Sequence, residues 1–248
     1  MKKMILALAL VLLPGFAVAA GDASSSDMKS VSINVHNQAA LQRGAKLYAN
    51  YCLACHTLEH QRWRRLAEDA GMTAEQVEEN LIPGDGAITD MITNSMPAED
   101  AASWFGTQPP DLTLITRQRS EDWLYSYLHG FYKDDSQPFG VNNAVFDRVG
   151  MPHVMVGLEG LKKPVYETHT DADGNEKQVR VGYRYVTEGS MTGPEFDRAM
   201  TDLVTFLAYT GEPAQLVRYK IGVWVIGFLA FFLIFAYLLK REYWKDIH

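Results

Sequence analysis

Only two cysteines, Cys52 and Cys55, occur among 248 residues, which excludes a scaffold stapled by several disulfides. Basic charge is also in deficit. Lys and Arg number 23 against 30 Asp and Glu, a formal net charge of −7, and a nucleic-acid binder needs the opposite balance to neutralise phosphates. No internal repeat is visible, which excludes a solenoid. Long uncharged apolar runs are confined to the two ends. The rest is ordinary: 47% hydrophobic and 21% charged residues suffice for one globular domain plus an additional element. Between the ends, residues 21–216 hold 16 basic and 28 acidic side chains, a net of −12. A body this acidic predicts a basic partner.

The first end has the three parts of a secretory signal. Lys2 and Lys3 precede a short apolar run from Met4 to Leu13, and Ala17-Val18-Ala19 supplies small residues for cleavage. Residues 1–20 are therefore expected to be removed on export. At the other end, Ile221–Leu239 has no charged residue in nineteen positions. At 1.5 Å per residue this covers roughly 28 Å, close to a bilayer's hydrocarbon core. Arg218, Tyr219 and Lys220 precede the run, and Lys240, Arg241, Tyr243, Trp244 and Lys245 follow it, as interfacial anchors do. The expected organisation is a signal peptide (1–20), a translocated domain (21–216), a single transmembrane helix (217–240) and a cytoplasmic tail (241–248). In a bacterium this places the domain in the periplasm, on the inner membrane.

Within the domain, helical periodicity over Gln38–Tyr51 runs straight into Cys52. Gln61–Ala70 and Thr73–Leu81 are further helical stretches, the second opened by a Thr73/Gln76 capping box, and Pro83–Gly86 is a turn. Ser120–Phe131 starts with a Ser cap and two acids. Gln137–Gly160 is rich in Gly, Pro and Asn and is expected as loop. Val165–Thr187 alternates with period two about Asp171–Asn175, which predicts a β-hairpin. The Asp171, Asp173, Asn175 spacing does not make a calcium loop: Glu176 and Gly182 stand where a glycine and the closing Glu are required. From Pro194 a final helix presents Phe196, Met200, Leu203, Val204 and Leu207 on one face and ends at Gly211.

The chemistry concentrates in Cys52-Leu53-Ala54-Cys55-His56, the attachment motif for c-type haem. Two thiols three residues apart reach the two vinyl groups on one porphyrin edge, and the next residue places an imidazole under the iron. A thioredoxin-like pair needs a strand before the motif, and here a helix precedes it. A zinc site on Cys52, Cys55, His56 and His60 lacks a second Cys/His pair downstream. The sixth iron position decides between open-site chemistry and electron transfer. Among the methionines, Met151 in Gly150-Met151-Pro152-His153 suits a ligand approached by extended backbone. Met155 competes with it, and His129, His153 and His169 are the imidazole candidates.

These residues resemble the cytochrome c1 family, the haem c subunits of quinol–cytochrome c reductase (bc1) complexes, in a bacterial form. Arg43-Gly44-Ala45, Tyr48 and the Cys52–His56 pentapeptide resemble the family's haem-attachment helix, and Trp63-Arg64-Arg65-Leu66 the segment after it. Pro109-Pro110-Asp111-Leu112 and Arg117-Gln118-Arg119 resemble its Pro-Pro-Asp-Leu stretch and haem-flanking arginine. Gly150-Met151-Pro152 resembles its axial-ligand loop, with His153 replacing a second proline, and 213–245 resembles its tail anchor. The resemblance implies a mainly α, class I cytochrome c-like domain with a long loop and a β-hairpin insertion, plus one C-terminal transmembrane helix. It makes Cys52 and Cys55 the thioether sites, His56 and Met151 the iron ligands, and Pro110 part of the haem pocket. Arg119 becomes the propionate partner, with Arg117 second; an arginine fork suits a carboxylate.

The implied function is an electron-transfer subunit that takes one electron from a Rieske iron–sulfur protein, beside cytochrome b, and passes it to soluble cytochrome c. By itself such a chain is a carrier, with no quinol-binding role. Glu75, Glu78, Glu79, Asp85, Asp90, Glu99 and Asp100 are candidate docking charges for the basic carrier, or plain solvated surface. The rivals are a haem subunit of a terminal oxidase, a free-standing anchored cytochrome, a haem peroxidase with an open iron position, and a zinc-stapled interaction module.

Overall fold

The computed structural model describes residues 27–170 and 176–245. The expected signal peptide and the Asp171–Asn175 turn lie outside the described residues. In chain order the elements are α1 (Gln38–Tyr51), β1 (Leu58–Arg62), α2 (Trp63–Ala70), α3 (Ala74–Asn80), β2 (Met91–Ile92), α4 (Ala98–Phe105), α5 (Ile115–Gln118) and α6 (Glu121–Leu128). They continue with β3 (Phe131–Lys133), β4 (Val141–Asn143), α7 (Val156–Glu159), β5 (Gly160–Thr170), β6 (Glu176–Glu188), α8 (Gly193–Gly211) and α9 (Gln215–Tyr243). The strands form three separate antiparallel pairs, β1–β2, β3–β4 and β5–β6, around a mainly helical body.

The core is organised by α1 crossing α8. Asn37 caps α1 by accepting from the Ala40 N–H, an interaction worth about 1 kcal/mol. The helix buries Leu41, Ala45 and Tyr48 against Phe196, Met200, Leu203 and Phe206 of α8. The crossing is tight because position 44 is glycine. A Cβ there would lie 2.2 Å from the Asp202 carbonyl and 2.6 Å from the Phe206 Cβ. Arg43 closes the contact with a fork to Asp202, Nε–Oδ2 2.6 Å and Nη2–Oδ1 3.0 Å. One turn on, the buried Tyr48 hydroxyl donates to the His56 carbonyl at 2.7 Å. The packed core thus holds the end of the Cys52–His56 turn directly.

Four sequence expectations are corrected. Gln61 and Arg62 belong to β1, because the backbone of 58–62 pairs with β2, a partner some thirty residues away. Ser120–Phe131 divides into α6, capped by Ser120, and β3. The break is at Gly130, where a Cβ would meet the Asn143 side chain at 2.5 Å. Gln137–Gly160 holds β4 and α7. The hairpin is longer than its period-two stretch, running from Gly160 to Glu188, with register shifts at Leu161/Lys162 and Val165/Tyr166 that hide the alternation.

No residue of α9 is buried. Its 29 residues extend about 43 Å at 1.5 Å each, and Trp224, Phe228, Phe231 and Leu233 stand exposed along it. It is the one described helix long and apolar enough to cross a bilayer. Its length and exposed apolar surface fit a membrane anchor.

Candidate cofactor site

A mainly apolar cavity of about 460 Å³ opens beside the end of α1, within the size range of cofactor pockets. Cys52, Cys55, His56, Pro110, Arg119 and Met151 all line it. Residues separated by nearly a hundred positions therefore meet in one place.

The His56 wall is held by backbone geometry and one carboxylate. Cys52 continues the last turn of α1, its N–H donating to the Tyr48 carbonyl, and the His56 N–H donates to the Cys52 carbonyl at 2.8 Å. His56 Nδ1 lies 2.8 Å from the Pro110 carbonyl oxygen. A carbonyl only accepts, so Nδ1 carries the proton and Nε2 keeps its lone pair for a metal. Burial pushes the imidazole below its ordinary pKa, opposed by the Pro110 bond and by Asp111, which favours the neutral, ligating form. Asp111 fixes the peptide that carries Pro110. Its Oδ2 accepts from the Thr57 hydroxyl and the Glu59 N–H at 2.8 and 2.7 Å, and its Oδ1 accepts from the Thr113 N–H at 2.9 Å. Burial opposes ionisation, but these bonds hold the carboxyl below its usual range.

The two cysteines are unpaired. Burial, with Cys55 beside it, pushes the Cys52 thiol up to about 12. Activated exchange thiols have a lowered pKa, the opposite direction. His60 is exposed, and no cluster of three or more His, Cys, Asp or Glu able to hold a metal occurs among the described residues.

The Met151 wall is assembled from several segments. Met151 Sδ accepts from the Tyr127 hydroxyl at 3.4 Å. Met155 is 2% exposed and packs in the main core; it does not line the cavity. His153 is buried with its ring stacked on Phe131, centroids 4.9 Å apart, and its Nε2 is 3.2 Å from Glu159 Oε2. Lys162 pairs with Glu159 Oε1 and donates to the His129 carbonyl at 2.7 Å. His129 is held by the Tyr125 carbonyl and Asp197, and His169 is exposed on the hairpin.

Arg119 reaches the cavity, its guanidinium 4.9 Å from the Trp123 ring centroid. The structure does not bring Arg117 there; it is tied to Glu212 at 3.0 Å. α5 ends at Gln118, and Arg119 is extended, so neighbours in sequence diverge.

Sequence reasoning missed Asn142 and Asn143, both buried. Asn142 Oδ1 accepts from the Arg148 N–H, and Asn143 Oδ1 accepts from Val145 and Phe146 N–H groups. Arg148 has φ +55°, a left-handed conformation costly for a side chain with a Cβ. Two adjacent asparagines in a stretch that reads as loop from sequence, each able to organise local backbone, are the available signal.

The donors fit haem c: two sulfurs, an imidazole with a free Nε2 and a thioether share an apolar cavity. A model of the Cytochrome C1 family matches residues 29–247. Cytochrome c1 of Allochromatium vinosum is 47% identical over 248 residues, all of this chain and all of that protein. The ammonia monooxygenase gamma subunit of Nitrosomonas europaea is 40% identical over 98% of this chain and 97% of that protein. The mitochondrial cytochrome c1 haem protein of Schizosaccharomyces pombe is 27% identical over 85% of this chain and 68% of its own.

Proposed function

Since the chain belongs to the cytochrome c1 family, we propose that it works as that family's haem site does, through the particular residues gathered at its cavity. It is an electron-transfer subunit of a bc1 complex, with haem c as its cofactor and cytochrome b, a Rieske protein and soluble cytochrome c as its partners. Haem c, when bound, supplies one-electron iron chemistry, and Met ligation raises its potential. Cys52 and Cys55 attach it, His56 Nε2 and Met151 Sδ ligate the iron, and Arg119 pairs with a propionate. Pro110 and Asp111 orient His56; the apolar lining excludes water. The observation that carries this reading is the convergence of Cys52, Cys55, His56 and Met151 on one cavity.

Residues 1–20 act as an export signal, which places 21–216 in the periplasm, α9 in the membrane as the single span and the tail in the cytoplasm. Glu75, Glu78, Glu79, Asp85, Asp90, Glu99 and Asp100 are all exposed. Together with the domain's net negative charge they steer a basic carrier, a rate effect that salt screens.

The name of the Nitrosomonas europaea relative supports a second reading, a haem subunit serving an oxygenase. Affinity purification of the detergent-solubilised protein separates the two. The first reading expects cytochrome b and Rieske protein in the complex, and quinol-dependent reduction of soluble cytochrome c that falls with ionic strength. Recovery with an oxygenase in place of those subunits would reject it.

A further inference from the structure

Tyr127 is fixed more completely than packing alone requires. Its ring stacks on Trp123 at 5.1 Å with 12° between planes, and meets Phe131 edge-on at 5.3 Å. Its carbonyl accepts from Asn143 Nδ2 at 2.8 Å. The same Asn143 grips the Val145 and Phe146 N–H groups, in the loop that leads to Met151. Its hydroxyl donates to the Met151 sulfur at 3.4 Å, and both residues line the cavity. One side chain therefore addresses the sulfur while its backbone secures the loop carrying that sulfur.

A thioether sulfur has two lone pairs and is a weak acceptor. A hydrogen bond to one of them selects the methionine rotamer that leaves the other for a metal. It also withdraws electron density from the sulfur. Iron(III) depends on ligand donation more than iron(II) does, so a weakened donor favours the reduced state. Hydrogen bonding around the ligands is a recognised lever on haem potential.

We propose that Tyr127 is a positioning residue for the distal ligand, whose hydroxyl orients the Met151 sulfur and raises the midpoint potential. The inference rests on Met151 being that ligand. It assigns to Tyr127 a role in setting the driving force for electron transfer, distinct from its part in the core.

The test is redox titration of the full-length, haem-loaded protein, with the thioether-to-iron(III) charge-transfer band recorded alongside. Tyr127→Phe keeps the ring and its two aromatic contacts and removes only the hydroxyl. At a fixed ambient potential its iron(III)/iron(II) ratio should rise about threefold, or about 28 mV at roughly 59 mV per decade, with the band retained but displaced. A ring-fluorinated tyrosine at position 127, a stronger donor of the same shape, should move the ratio the other way. Opposite shifts are not the signature of a merely structural role. Unchanged ratios in both proteins, with Met151→Leu still lowering the potential, overturn the role of Tyr127 alone. A Met151→Leu variant that leaves the potential unmoved overturns the ligand assignment beneath it. If Tyr127→Phe fails to fold, the fluorinated protein decides by itself.

Discussion

The wall of the cavity that carries His56 is built from two short contiguous peptides and one carboxylate. The wall that carries Met151 draws on α6, β4 and the loop from β4 to α7, α7 itself and the first residues of β5. On the first, a few bonds do the holding: α1 runs into the pentapeptide, Tyr48 holds the His56 carbonyl, and Asp111, bonded to Thr57 across 54 positions, pins the Pro110 peptide. On the second, the ligand loop is held by asparagine side chains, a left-handed Arg148 and the buried Glu159–Lys162 pair. The first wall secures attachment. The second is held by many weak or mutually dependent contacts, and on the proposed ligation by Met151 it is where the strength of the bond to iron would be set.

Substitutions can break that contrast at either side. The largest effect is expected at the pentapeptide. Cys52→Ser with Cys55→Ser should leave no haem on the chain after denaturing electrophoresis, read by haem staining. Next, Met151→Leu should retain covalent haem but lower the midpoint potential by well over ~100 mV, within the reach of axial-ligand change. Met155→Leu should leave the potential alone and cost less than about 1.5 kcal/mol in denaturant unfolding, as a volume-conserving core swap.

The buried pair sharpens the comparison further. Lys162→Met would strand Glu159 as an uncompensated buried carboxylate next to His153, a destabilisation of about 3–5 kcal/mol. Adding Glu159→Gln should recover much of it, because the expensive state is the lone charge. If the double variant is no more stable than the single in urea unfolding, the pair does not anchor this wall.

The smallest effect falls on the His56 wall. Asp111 has a folded-state pKa below its ordinary 3.8. The stability it contributes is therefore full above that value and lost as pH falls through the lower folded value. Asp111→Asn should cost about 1 kcal/mol at neutral pH, after allowing for solvent screening. The difference from wild type should vanish in the acid range, as pH-dependent unfolding curves would show.

The same division explains what could be read from the sequence. α1, the pentapeptide and α8 were legible because their signals are local: helical periodicity and a five-residue motif. The long apolar helix α9 was legible from composition and length alone. Gln61 and Arg62, the end of β1, read as helix because their partner β2 is remote, and β4 and α7 escape notice because three- and four-residue elements have no period to detect. Nothing local distinguishes buried Lys162 and Glu159 from the exposed Lys163 beside them. The resemblance ranks Arg119 above Arg117, and the end of a four-residue helix is what sends the two side chains to different places. Nothing local marks Tyr127 either, because its sulfur partner lies 24 residues away.

Covalent haem attachment stands or falls with the chemical state of Cys52 and Cys55. Mass spectrometry of the peptide spanning Cys52–His56, cut from protein matured in a host competent for cytochrome c assembly, reads that state. The expected result is one haem bound through both sulfurs. A peptide of unmodified mass, with its thiols free or joined to each other, would contradict it.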